Sequence, residues 1–147
     1  MAFKRFEDIH AWQQARELCQ LVEQLTNTSL FERNWTLKNQ IKSASGSAMD
    51  CIAEGYERNS NNEFRYFLSI FKGSAGEVRS QAYRALDGQY ITPEEFERLV
   101  DRASKLSASL YKLIQTLNET DYKGIRNIKR KNGSSSNDDP FFPSTPP

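Results

Sequence analysis

The sequence predicts an all-α protein, an antiparallel up-down-up-down four-helix bundle. Apolar residues recur at threes and fours from Ile9 to Leu117, the repeat of an amphipathic helix. No stretch alternates with the period of two that a half-buried strand needs. The apolar runs are divided by short polar breaks, at Thr26–Ser29, Asn59–Asn62 and after Gly88, and short connections make successive helices antiparallel neighbours.

The first helix is expected from about Phe6 to Leu25. Ile9, Trp12, Ala15, Cys19, Val22 and Leu25 form its stripe, and Gln13, Gln14, Arg16, Glu17 and Gln20 its wet side. Glu7 or Asp8 suits the positive end of the helix dipole. Thr26-Asn27-Thr28-Ser29 stops the helix, since these side chains compete for backbone hydrogen bonds. Leu30 and Phe31 then tether the connection to the core. The second helix starts near Asn34, a good N-cap. Its seam, Leu37, Ile41, Ala44, Ala48, Cys51 and Gly55, has strict 4-3-4-3-4 spacing. That seam is slim, because Ala44, Ser47, Ala48, Cys51 and Gly55 carry little bulk, so a neighbouring backbone or a large partner side chain can come close.

The third helix begins after Asn62, with Phe64, Phe67, Phe71, Ala75, Val78, Ala82 and Ala85 as its stripe and Leu68 and Ile70 widening it. Gly88 is expected to end it in a left-handed conformation. The fourth has the clearest start: Thr92-Pro93-Glu94-Glu95 combines an N-cap, a first-turn proline and a capping-box glutamate. Phe96, Leu99, Ala103, Leu106, Leu110, Leu113 and Leu117 carry its heptads. Trp12, Trp35, Phe64, Phe67 and Phe71 are expected in the core.

At 147 residues the chain suits one domain with a real core. The organisation expected is a bundle over 1–119, a basic extension over 120–131 and a Ser/Asn/Pro-rich disordered tail over 132–147. Formal charge is only +1, but it is unevenly spread: 123–131 holds five of the 20 basic residues and no acid, while 1–122 carries 15 basic residues against 17 acidic ones. Cys19 and Cys51 lie outside any CxxC and fall on apolar faces, as free buried thiols of a reducing compartment. Neither a signal peptide nor a run of about 20 apolar residues is visible, so a cytoplasmic protein without a membrane partner is expected. There is no Gly-rich phosphate loop, no Ser-His-Asp set and no zinc spacing, so neither an enzyme, a cofactor nor a small-molecule substrate is expected.

The stretch from Gln40 to Glu77 departs from a plain bundle. Glu54-Gly55, Arg58, Gly73-Ser74 and Glu77 stand where a generic core would carry leucine. One reading of Glu54 and Glu77 is a metal or acid–base pair; a bundle di-metal site, however, needs several inward carboxylates and Glu-x-x-His motifs, and His10 is the only histidine. The preferred reading pairs these carboxylates with Arg58, Arg84 or a neighbour's arginine at a helix or subunit contact, because a buried charge must be paired.

Phe6-x-Asp8-Ile9-x-x-Trp12-x-x-Ala15, Gln40-Ile41, Ile52-Ala53-Glu54-Gly55, Glu63-Phe64-x-x-Phe67-Leu68 and Gly73-Ser74-x-x-Glu77 resemble, in order, the motifs of the four-helix-bundle proteins first noticed as products of intervening sequences in large-subunit ribosomal RNA genes. The resemblance covers about residues 3–119. Ala48-Met49, Cys51 and Phe71 depart from that family's usual Ser-Ile, Asn and Ala. That family is similar to the accessory variability proteins of diversity-generating retroelements. The resemblance therefore implies a non-enzymatic homo-oligomer, a pentamer, that works beside a reverse transcriptase and structured RNA.

Two basic features are candidates for nucleic acid. Arg58, Arg65, Lys72 and Arg79 are seven residues apart, and the last three share one face of the third helix, drifting only ~20° per heptad. They suit a phosphate backbone; the alternative is an ordinary solvated face. Lys123, Arg126, Lys129, Arg130 and Lys131, interleaved with Tyr122, Ile125 and Ile128, suit a flexible phosphate-binding arm; the alternative is a solubilising tail. Phe141-Phe142-Pro143 is either a docking motif or plain tail. The expected function is a nucleic-acid accessory protein; the rival is a protein-binding scaffold with no nucleic-acid contact.

Overall fold

Local end chemistry sets where each helix starts and stops. The computed structural model of the chain describes residues 3–131. A 3-10 turn at Phe6–Asp8 precedes α1 (His10–Thr26), and a second at Phe31–Asn34 leads into α2 (Trp35–Glu57). Then come α3 (Asn61–Asp87) and α4 (Pro93–Lys131), and no strand occurs among the described residues. The Asn34 side chain caps α2 by accepting from the Leu37 amide at 3.0 Å. Ser60 caps α3 by accepting from the Glu63 amide at 3.4 Å, so that helix starts at Asn61 rather than after Asn62. The capping box of α4 is reciprocal: the Glu95 amide donates to Thr92 Oγ1 at 3.2 Å and the Thr92 amide to Glu95 Oε1 at 2.9 Å.

Two ends differ from expectation. Phe6–Asp8 is a separate turn because Ile9 is extended, with φ −75° and ψ 121°, which delays α1 to His10. Gly88 is right-handed at φ −76°, and the left-handed residue is Gln89 at φ 60°. Glycine is needed at 88 for space instead, since a Cβ there would lie 2.3 Å from the Tyr90 ring.

Each helix packs on two neighbours, α4 closing the bundle against both α3 and α1. Contacts along α3 and α4 run in opposite directions, from Arg65 with Asn118, through Lys72 with Tyr111, to Tyr83 with Phe96. Gln40 meets Arg84 while Gly55 meets Phe64 and Phe67, so α2 and α3 are antiparallel as well. The up-down-up-down bundle is the observed fold. Its core includes Leu18, Ile41, Ile52, Leu68, Phe71, Leu106 and Leu110, all essentially inaccessible. No described helix is long and apolar enough to cross a membrane.

A helix flanked on both sides buries a wider stripe than a single seam, and this moves several residues from their expected places. On α1, Ala11, Leu18 and Leu21 are buried, while Trp12 and Cys19 are half-buried. On α2, Ser45 and Ile52 are buried, and Cys51 is half-buried at the edge rather than in the seam. The largest correction is Trp35, 67% exposed on the first turn of α2. Ile70 and Leu30 are also exposed, and of the Leu30-Phe31 pair only Phe31 anchors the connection. Phe64 and Phe71 are core as expected, and Phe67 packs against it partly buried. Beyond Asn118 the backbone stays helical to Lys131, where a flexible arm was expected. Those thirteen residues extend α4 by about 20 Å. Residues 132–147, with the Phe141-Phe142-Pro143 segment, lie outside the described residues.

Candidate functional site on two faces of the third helix

The residues singled out from sequence sort onto opposite edges of α3. On the α2 side the close approach is real. A Cβ at Gly55 would lie 2.9 Å from the Phe67 Cβ and 3.1 Å from the Phe64 ring. Beside it, Arg58 Nη2 meets Glu54 Oε1 at 2.8 Å, Arg58 Nη1 lies 3.8 Å from Glu63, and the guanidinium stands 5.1 Å from the Phe67 ring centre. Hydrogen bonding to Glu54 pushes the Arg58 pKa up. Arg58 is the C-cap of α2, followed by Asn59 at φ 57°, so it belongs to the α2–α3 turn and not to the basic line of α3.

Further along, α2 and α3 line an open groove of about 510 Å³, with Ser43, Ala44 and Ser47 on one wall and Glu77, Ser80 and Gln81 on the other. Arg84 Nη1 donates to Gln40 Oε1 at 2.9 Å across it. Glu77, expected to pair with Arg58 or Arg84, makes no ion pair among the described residues. Gln81 is 8% exposed in this groove, and its Oε1 accepts from no donor among the described residues. Ser74 is half-buried, and Gly73 faces open space, with nothing within 4 Å of a Cβ placed there. Burial is the main reason the Cys51 thiol is pushed up, with Glu54 and Asp50 adding to it. Burial also raises the Cys19 thiol, against an opposing effect of the Ser45 side chain, and the thiol donates to the Ser45 carbonyl at 3.1 Å. Among the described residues no three His, Cys, Asp or Glu side chains gather as a metal site.

The α4 side has another chemistry. Arg65 Nη1 donates to Asn118 Oδ1 at 3.1 Å, and Arg65 also reaches Asn62. The Lys72 ammonium lies 5.0 Å from the centre of the Tyr111 ring, whose hydroxyl accepts from Gln115 Nε2 at 2.9 Å. Arg79 is exposed, and next along is Tyr83, packed edge-on against Phe96 at 4.8 Å between ring centres. Ser69 and Gly76 keep the row open: the Ser69 hydroxyl turns back to the Arg65 carbonyl, and a Cβ at Gly76 would meet nothing. Arg65, Lys72 and Arg79 therefore line the seam where α3 meets α4.

Sequence reasoning missed the partners of both faces. On α4, Ser104, Tyr111 and Asn118 are also seven residues apart, the antiparallel counterpart of the basic line. That repeat was the available signal. Gln81 gave none, because a glutamine in a helix is ordinary until its carbonyl is buried. Lys123, Arg126, Lys129, Arg130 and Lys131 all fall on the helical continuation of α4.

No curated protein matches the chain. A family model described as 23S rRNA-intervening sequence protein matches residues 7–130, from before α1 almost to the end of α4. Since that match takes in every helix of the bundle, the chain belongs to the 23S rRNA-intervening sequence protein family.

Proposed function

We propose that this protein is a non-enzymatic, homo-oligomeric accessory protein that holds nucleic acid, supporting a reverse transcriptase and structured RNA as the accessory variability proteins of diversity-generating retroelements do. One observation carries the reading: α3 separates a slim, mixed-charge groove from a row of cations. The groove along α2 holds an unpaired carboxylate, Glu77, and a buried carbonyl without a donor, Gln81. The Glu77 carboxylate is exposed and solvated, but a buried carbonyl without a donor is costly unless a partner supplies the missing bond, which favours a protein surface there. Glu54, Gly55, Arg58, Gly73, Ser74 and Glu77 are the residues assigned to helix or subunit contact, and the pentameric number is taken from the resemblance. The row along α4 presents Arg65, Lys72 and Arg79, and the continuation of α4 adds Lys123, Arg126, Lys129, Arg130 and Lys131. Repetition of such a face around an assembly multiplies weak phosphate contacts.

Two measurements test the reading together. Mass in solution at micromolar concentration is expected to exceed that of one 16.9 kDa chain severalfold. Binding to a structured RNA is expected to fall steeply with salt, and exchanging Lys129, Arg130 and Lys131 for glutamine should reduce the log–log slope by about 2 to 3. A monomer would remove the assembly. Absence of RNA binding at low salt would leave a protein scaffold with no nucleic-acid contact.

A further inference from the structure

The α4 side of α3 carries more than charge, and its extra features select among nucleic acids. We propose that this row is a platform for unpaired nucleotides, with Tyr111 and Tyr83 stacking bases while Lys72 and Arg79 neutralise the adjoining phosphates. The inference rests on the nucleic-acid reading above and narrows its ligand class.

Three features of the row point to single strands. First, it is rich in cations: Arg65, Lys72 and Arg79 line it, and Glu97, seven residues before Ser104, brings an acid only to its far end, while Asp101 is held by Lys105 at 2.9 Å. Second, two tyrosine rings are about half exposed among these cations, Tyr111 at 50% and Tyr83 at 56%. Both are oriented by their surroundings, Tyr111 through Gln115 and Tyr83 through Phe96, so little freedom remains to be lost on binding. A duplex hides the faces of its bases and would use only the cations; an unpaired strand exposes base faces to the rings as well. Third, the resting partner of Tyr111 is replaceable. An exposed cation–π contact such as Lys72 over Tyr111 is worth roughly 2- to 5-fold in an equilibrium constant, whereas a base stacked on an aromatic ring is worth roughly 5- to 150-fold. A base can therefore take the ring and release the Lys72 ammonium to the phosphate beside it.

The test compares an unstructured oligouridine with a fully paired RNA hairpin of equal phosphate number, both titrated with the full-length assembly. The oligouridine is expected to bind more tightly. Tyr111→Leu should weaken oligouridine roughly 5- to 100-fold while leaving hairpin affinity and both salt slopes unchanged. Lys72→Gln should weaken both ligands and reduce each slope by about 1. Helical circular dichroism and the thermal midpoint of each variant establish that the bundle is intact. If the hairpin binds with a steep salt dependence and Tyr111→Leu affects both ligands equally or neither, the platform is overturned while the phosphate reading stands. If neither RNA binds at low salt, both fall together.

Discussion

Along its α2 edge α3 meets a neighbour across Gly55, with small residues and charges of both signs, whereas along its α4 edge it brings three cations and the exposed Tyr83 beside the exposed Tyr111 of α4. Both edges use the same helical repeat, so the difference lies in side-chain size and sign of charge. A mixed-sign edge lets each charge find an opposite, as Arg58 does between Glu54 and Glu63, and this suits contact with protein. An edge on which cations predominate suits a polyanion. Arg58 shows how far sign alone misleads. It keeps the seven-residue spacing of the basic line but sits in the turn beside two carboxylates.

The sharpest way to break this comparison is to fill one edge and watch the other. Ser43→Gln together with Ser47→Gln would occupy one wall of the groove with neutral bulk while keeping good helix formers. The expected result is a shift in solution mass to the monomer with helicity retained. RNA affinity should fall about 10²- to 10⁴-fold, the size of a lost multivalent advantage. The converse pair, Lys72→Gln with Arg79→Gln, should leave mass unchanged and weaken RNA alone. Analytical ultracentrifugation beside RNA titration reads both, and if the two sets alter the same observables the edges are not functionally distinct.

Gly55 provides the next largest effect. Gly55→Ala brings a methyl to 2.9 Å from the Phe67 Cβ, an atom fixed to the backbone that cannot swing aside. Either α2 and α3 must separate or Phe64 must shift, and overpacking of this kind costs about 1 to 3 kcal/mol, against the gain of about 1 kcal/mol for alanine over glycine inside a helix. Chemical denaturation of the variant is expected to show a net loss of up to about 2 kcal/mol, and a net gain of about 1 kcal/mol would mean that the helices are not held so closely. At Gly88 glycine serves space too, for the Tyr90 ring rather than for a helix.

The bundle was legible from periodicity because burial repeats with the helix, and the caps were legible because Asn34, Thr92 and Glu95 act within three residues of themselves. What depended on neighbouring elements was not. Trp35 looks like core by composition, yet on the first turn of α2 it faces solvent. Cys51 keeps the heptad, but a helix at 3.6 residues per turn drifts off a strict repeat, and Ile52 takes the buried place. The left-handed residue after α3 is Gln89 rather than Gly88 because the helix runs one residue further, its end closed by the Gln89 amide on the Leu86 carbonyl and the Tyr90 amide on the Ala85 carbonyl. The basic line was read correctly as one face of a helix, but only the fold puts Tyr111 and Asn118 opposite it. Gln81 and Ser43 became a groove only when two helices met.

The finest separation of the edges uses two glycines with the same local surroundings. Gly73 and Gly76 both lie in the interior of α3, and a Cβ at either would have nothing within 4 Å. In an isolated subunit each should therefore gain about 0.8 to 1 kcal/mol of helix stability on replacement by alanine. Gly73 lies next to Ser74 on the edge assigned to assembly, while Gly76 lies between Lys72 and Arg79 in the row assigned to nucleic acid. A single added methyl is felt where another subunit packs closely and ignored where solvent or a mobile strand can yield. Gly76→Ala should then stabilise the protein without changing its mass in solution. Gly73→Ala should stabilise the subunit and, by contrast, raise the concentration at which the assembly forms. Thermal midpoints measured across a concentration series separate the two terms, because only the assembly contribution depends on concentration. Equal concentration dependence in both variants would place the subunit contact away from Gly73.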